Sequence, residues 1–294
     1  MKDFKTRLSV VVASHNALSS VEDCLAALFR QHSKESIDLI VVDNSTDGTT
    51  EVIRRRFPDI TLIERPPSEL IPQLWSAGIR QSKGDIVAIT TSHFIPAMSW
   101  IEEILKAHER PSSAVGGAIE NHQDAGPIDW AIYFCRYSKF MLPLTECVVA
   151  EIAGDNASYK REDLNRHKHT WQNGFWEPAV HDALRQEGAQ LLLAPSIVVY
   201  HKRSFGVSGF LIQRLQHGRQ FGGWRASELS KLNRVLFVTL SPAIPIVLLF
   251  RMARQVARKR RHLSKFVFSF PLIAIFTLSW TLGELTGYLF GSTK

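Results

Sequence analysis

The residues that most constrain this chain run from Ile37 to Thr50, I-D-L-I-V-V-D-N-S-T-D-G-T-T, where an apolar run ends abruptly in acidic, hydroxyl and glycine residues. Ile37, Ile40, Val41 and Val42 are β-branched and suit a strand covered on both faces, as in a parallel sheet flanked by helices. Asp43 then stands at the carboxyl end of that strand, where open α/β sheets place their ligand crevice. Taken alone, Asp43-Asn44-Ser45-Thr46 reads equally well as a binding loop or as a strand-to-helix turn, since Asp, Asn and Ser favour turns for local reasons. Thr46 or Asp47 is the expected cap of a helix beginning near Thr49.

The same pattern repeats around it. Leu8 to Ala13 reads as a first buried strand closed by Ser14-His15-Asn16, too short an apolar run for a signal peptide. Ser19 or Ser20 then caps a helix with Val21, Leu25, Leu28 and Phe29 at helical spacing. Thr61 to Glu64 is a short strand, Pro66-Pro67 breaks the chain, Leu70 to Ser82 is helical, and Gly84-Asp85 turns into a fourth strand, Ile86 to Thr90. Strands alternating with helical patterns of about 10 to 15 residues imply crossover units and a parallel α/β sheet. Further on, Ser99 with Glu102 predicts a capped helix to Ala107, Ala114 to Ile119 a strand, and Leu191 to Tyr200 two short strands around Pro195. The aromatic segment Trp130 to Met141 is expected to be a helix covering the acceptor side of the sheet.

In this order the motifs resemble those of the family 2 glycosyltransferases. S-V-V-V-A-S-H-N-A, V-V-D-N-S-T-D-G-T, A-G-I-R-Q-S-K-G-D-I-V-A-I and G-A-Q-L-L-L-A-P-S-I-V-V-Y-H carry the likeness, which covers roughly residues 7 to 203. It implies a GT-A fold, a mostly parallel central sheet flanked by helices, that binds a nucleotide-sugar donor. By the resemblance, Asp43 and Asn44 receive the nucleotide, Ser14 and Asn16 line the same pocket, and Asp85 and His93 belong to the donor side. Such proteins usually carry an Asp-x-Asp element that holds Mg2+ or Mn2+ against the diphosphate, hard oxygen chemistry that neutralises a leaving group. Here Thr91-Ser92-His93 stands in its place, leaving His93 and, further on, His201 as the implied metal or diphosphate ligands. Asp155, Asn156, His201, Lys202 and Arg203 fall in the acceptor or diphosphate vicinity. Glu177, preceded by Trp176, falls where the general base of an inverting transfer is expected, with Asp182 in reserve.

Past Ser204 the composition shifts. Phe210 to Trp224 mixes Arg214, His217 and Arg219 with apolar residues, a basic amphipathic pattern suited to an anionic interface. Residues 235–250 are apolar but short for a span and broken by Pro242 and Pro245, and both flanks are basic, so a re-entrant or interfacial segment is expected. Residues 266–290 are long enough to span, with Glu284 the exceptional acid. The expected organisation is therefore a catalytic domain over 1–205, an interfacial segment over 206–234 and membrane-associated helices over 235–294. Three widely spaced cysteines, Cys24, Cys135 and Cys147, argue against a disulfide framework or zinc site and for a cytoplasmic catalytic domain. A net charge of +7 is concentrated near the C-terminus, which favours membrane lipids over nucleic acid as the anionic partner. The expected function is sugar transfer from a nucleotide donor to a lipid-linked or envelope glycan acceptor; the alternative is a catalytically silent relative that scaffolds a membrane assembly.

Overall fold

The computed structural model describes residues 7–32, 37–202 and 206–291. Two compact units emerge: Met1–Glu120 with Phe140–Lys202, and Asn121–Lys139 with Arg203–Lys294. Arg203 lies outside the described residues.

The first unit is built on a nine-stranded sheet. In chain order it contains β1 (Leu8–Ser14), α1 (Val21–His32), β2 (Ile37–Asp43), α2 (Thr49–Arg56), β3 (Thr61–Glu64), α3 (Ile71–Gln81), β4 (Ile86–Thr91), β5 (Phe94–Pro96) and α4 (Trp100–Ala107). β6 (Ala114–Asn121) follows, and in the second unit comes α5 (Pro127–Tyr137). The first unit resumes with β7 (Cys147–Val149), β8 (Ala157–Lys160), α6 (Arg161–Arg166), α7 (Lys168–Trp171), α8 (Glu177–Gln186) and β9 (Leu191–His201). Strand order is β3-β2-β1-β4-β8-β6-β9-β5, with β7 also on β9. β3, β2, β1 and β4 are mutually parallel, as crossover helices require; β8 then runs antiparallel to β4 and β6. β1 is buried along its whole length, so its residues are apolar on both faces rather than alternating.

Three local expectations change. Residues 191–201 form one strand rather than two. Its partners on that side are β7 over Leu191–Leu193 and β5 over Val199–His201, and Pro195, which has no N–H to donate, sits between them. Ser99 occupies the N-cap of α4 without a side-chain cap bond. The N-cap of α2 is Gly48, at φ 90°, while Asp47 Oδ1 accepts from the Thr49 N–H at 3.1 Å.

Two of this unit's buried histidines, His108 and His181, each meet a hydroxyl. His108 Nε2 lies 2.8 Å from Ser158 Oγ, and His181 Nε2 lies 2.9 Å from Tyr159 Oη. Burial is the main cause that pushes each down to about 4. An unfolded histidine titrates near 6.5, so below that pH the unfolded chain takes up protons that the folded chain refuses. Stability is therefore complete above pH ~6.5 and falls until about pH 4, at roughly 2 kcal/mol per histidine by pH 5. Denaturant midpoints at pH 7.5 and pH 5 should show this loss, and His108→Gln should make it smaller. A midpoint that does not change with pH would rule it out.

The second unit adds α9 (Val207–Glu228), α10 (Lys231–Leu240), a 3-10 turn at Ser241–Ala243, α11 (Ile244–Lys259) and α12 (Leu263–Phe290). Pro242 sits in that turn and Pro245 in the first turn of α11, positions that need no N–H donor. α9 is paired along its length with α12. Gly218 and Gly222 of α9 meet the backbone of Trp280 and Glu284, and Gly283 and Gly287 of α12 meet that of Leu215 and Arg219. Each helix thus carries a Gly-x-x-x-Gly ridge, which brings the two backbones together. Glu284 is buried at 4% exposure and faces protein, accepting from Trp280 Nε1 at 3.0 Å and Tyr288 Oη at 2.8 Å.

The aromatic helix α5, expected to cover the acceptor side of the sheet, belongs to the second unit. Within that unit it packs on α12, with Phe134 edge-on to Phe266 at 5.1 Å and Ser269 Oγ donating to the Pro127 carbonyl. Its aromatics are spaced for a buried helix face, and that pattern does not say which partner covers them. Leu232–Lys259 and Leu263–Phe290 are each 28 residues long, and both are long and apolar enough to cross a membrane by length and composition.

Candidate functional site

The parallel register sets the carboxyl ends of β1, β2 and β4 side by side. Ser14 pairs with Asp43 and Ala13 with Thr91. Backbone bonds continue past the strands, from Asn44 N–H to Ser14 O at 3.1 Å and from Ser92 N–H to Ala13 O at 3.0 Å. The hydroxyls of Ser14 and Ser92 are sealed here, and among the described residues neither has a hydrogen-bond partner. Such orphaned hydroxyls are uncommon in a core and mark a place built for something other than packing.

The loops after β1 and β2 are laced together. Asn16, held at φ 48°, donates its N–H to Ser45 Oγ and accepts the Thr46 N–H on Oδ1 at 2.9 Å. His15 Nδ1 lies 2.8 Å from Asn44 Oδ1, and Asn44 Nδ2 donates to the carbonyls of Pro66 and Glu69. Asp43 is 1% exposed; it accepts from Ser45 Oγ at 2.7 Å and from Thr50 Oγ1. Its carboxylate therefore orders the loop as well as standing at the strand end.

At the end of β4, His93 Nδ1 lies 3.2 Å from Ser20 Oγ at the start of α1. Thr91 Oγ1 lies 3.5 Å from Asp155 Oδ1, and Thr90 Oγ1 donates to the Asp155 carbonyl at 2.8 Å. A carboxylate absent from Thr91-Ser92-His93 thus arrives from the 3-10 turn Gly154–Asn156. Glu177, the first residue of α8, packs directly on that turn. A Cβ added to Gly154 would lie 2.4 Å from Glu177 Oε1 and 2.9 Å from its Cδ. Gly154 is small because the glutamate occupies that space, so the Glu177 carboxyl is seated next to Asp155. Glu177 is half-buried, and the preceding Trp176 is 45% exposed. Burial first, then the Glu177 charge, pushes the Tyr159 phenol well up.

Other expected residues lie elsewhere. Asp85 precedes Ile86 at the amino end of β4, about 20 Å along the strand from Thr91. Its neighbour there, Arg161, is held by Gly84 O and Ser82 Oγ. Asn156 is 1% exposed; its Oδ1 accepts from Trp100 Nε1 at 2.8 Å and its Nδ2 donates to the carbonyls of Ala118 and Ile197, so both amide hydrogens are used inside the protein. His201 is buried, its ring 5.3 Å from that of Phe94, and Lys202 is ion-paired with Asp23 of α1. Asp182 pairs with Arg185. Among the described residues no group of three or more His, Cys, Asp or Glu side chains converges, so these donors build no cage for a resident cation. Sequence reasoning missed Ser92, Ser20 and Gly154; only the glycine beside Asp155 left a visible signal.

Residues 9–168 match the family model described as Glycosyl transferase family 2. Glycosyltransferase AglE of Haloferax volcanii is 28% identical over 119 residues, covering 38% of this chain and 39% of that protein. The uncharacterized glycosyltransferase YfnE of Bacillus subtilis is 28% identical over 112 residues, covering 37% and 29%. Both matches span well under half of the relative's length. Among solved structures, the mannosyltransferase PcManGT from Pyrobaculum calidifontis, in complex with GDP-Man and Mn2+, superposes with a TM-score of 0.55 at 18% identity, covering 96% of this chain and 88% of that one. S. aureus TarS 1-349, in complex with UDP-GlcNAc, does so with a TM-score of 0.52 at 13% identity, covering 98% and 93%. At these identities the likeness concerns the fold.

Proposed function

We propose, on the premise that this chain belongs to glycosyl transferase family 2, that it moves a sugar from a nucleotide-sugar donor to an acceptor hydroxyl with inversion at the anomeric carbon. The observation that carries the reading is the seating of Glu177 on Gly154, beside Asp155, at the carboxyl ends of the parallel strands. Inversion needs a carboxylate within reach of the attacking hydroxyl, on the face opposite the leaving diphosphate. Glu177 supplies it from the first turn of a helix, where the dipole favours the ionised form. Asp43, Ser14, Asn16 and Asn44 form the nucleotide end in this reading, at the carboxyl ends of β1 and β2. The two structural neighbours are complexes with GDP-Man and UDP-GlcNAc, which supports a nucleotide-sugar donor here. A divalent cation belongs to the proposal only if it enters with the donor's phosphates, and no step is routed through it.

The acceptor in this reading is lipid-linked or an envelope glycan, and the catalytic unit works on the cytoplasmic side of a membrane. The support is the second unit's exposed apolar surface, with Ile246, Phe250, Val267 and Phe268 each 66% exposed or more, and the basic residues clustered between α11 and α12.

The lack, among the described residues, of a three-ligand acidic or imidazole cluster favours one rival, a silent binding member of the family. Release of nucleoside diphosphate by the full chain, screened across uridine, guanosine, cytidine and thymidine sugar donors with Mn2+, Mg2+ or chelator, separates the two. Turnover with one donor class is expected; none in any combination would leave the binding member standing.

A further inference from the structure

The second unit holds an open cleft of about 690 Å³ between α5, α9, α10, α11 and α12. Its apolar lining includes Phe237 and Leu240 of α10, Ile244 and Val247 of α11, and Phe276 of α12. Interleaved with these are five cationic side chains, Arg136, Lys139, Arg214, Arg225 and Arg251, against one carboxylate, Glu284. That carboxylate is already engaged by Trp280 and Tyr288 and lies 3.6 Å from Arg225.

Arg214 is the informative member. Its guanidinium lies over the rings of Phe210 at 5.1 Å and Trp280 at 4.9 Å, and its Nε is sealed from solvent and, among the described residues, has no hydrogen-bond partner. Burial first, then Arg136, pulls it down to about 10. Its Nη2 lies 3.5 Å from His217 Nδ1, and burial and these two arginines push that imidazole down to about 3. A guanidinium kept this dry with a donor unused calls for an anion. The anion's charge belongs with the arginines, and the apolar lining beside them has room for hydrocarbon.

We propose that this cleft is a binding site for a phosphate-headed lipid, with its phosphate held by Arg214, Arg136 and Arg251 and its chain lying along Leu240, Val247 and Phe276. The site concerns a lipid resident in the second unit and goes beyond the transfer reaction, so it stands or falls whether or not a donor is ever turned over. Lipid, rather than free phosphate, is indicated by the extent of the apolar lining and by the apolar surface that α10, α11 and α12 expose around it.

Trp280 lines the cleft and provides the readout. The full chain is placed in phosphatidylcholine vesicles containing phosphatidic acid with brominated acyl chains, and the quenching that Trp280→Phe removes is measured. Saturating quenching by phosphatidic acid, and far weaker quenching by brominated phosphatidylcholine at the same fraction, is expected. Arg214→Gln should weaken the phosphatidic acid effect at least tenfold. Arg251→Gln, at an exposed position that cannot upset the core, should weaken it several-fold and serves if the first variant does not fold. Equal quenching by the two lipids, no response to either arginine substitution, or full displacement by inorganic phosphate at matched concentration would each overturn the proposal.

Discussion

Glu177→Gln should lower the rate of sugar transfer about 10²- to 10⁴-fold, the range by which a positioned base contributes, while donor affinity stays within about threefold. Glutamine keeps the volume that packs on Gly154 and keeps a hydrogen-bond acceptor, so the turn carrying Asp155 is undisturbed; what it loses is the ability to take the acceptor's proton. The loss should appear in kcat rather than in the donor KM. Gly154→Ala should partly reproduce it. The new methyl would meet the end of a flexible side chain rather than backbone, so the fold survives and the carboxyl is displaced. Wild-type turnover in Glu177→Gln would remove Glu177 as the base and turn attention to Asp155, the other carboxylate at the strand ends.

Gly283→Leu should cost the second unit its fold. A Cβ there would lie 2.1 Å from the Leu215 carbonyl oxygen and 3.0 Å from the Arg219 nitrogen, both backbone atoms of α9. Overpacking a core typically costs about 1–3 kcal/mol when side chains can yield, and here the obstacle is a helix backbone, so the cost should exceed that range. The full chain carrying Gly283→Leu should unfold at lower temperature in detergent and be cleaved by trypsin within α9, at Arg219 or Arg225. Gly206→Leu is the matched control, since nothing lies within 4 Å of a Cβ at that glycine. Equal resistance of the two variants would show that the glycine ridges do not hold α9 to α12.

The parts of the fold legible in the sequence were those whose signal is local. The strand read at Thr61 to Glu64 coincides with β3, and those read from Leu8, Ile37 and Ile86 begin β1, β2 and β4. The parallel order followed because each apolar run was joined to the next by a helical one. The antiparallel half was harder. β8 lies between β4 and β6 although it comes more than sixty residues after β4, and no spacing within a strand announces such a partner. The fate of α5 was hidden for the same reason: its aromatic face demanded cover, and α12, more than 120 residues away, supplied it.

By itself the sequence determined the parallel sheet, the polar loops at its carboxyl ends and the apolar character of the C-terminal third, because hydrophobic period and turn chemistry act over a few residues. Only the tertiary structure decided which of the marked residues meet. It seated Glu177 beside Asp155 through the missing side chain of Gly154, spent Asn156 on Trp100, Ala118 and Ile197, and left Asp85 at the far end of its strand. It also set Arg214, whose Nε has no hydrogen-bond partner among the described residues, in a cleft drawn from five helices. Those outcomes depend on close approach between backbones far apart in the chain, and such contacts leave no periodic trace in the sequence beyond the glycines that permit them.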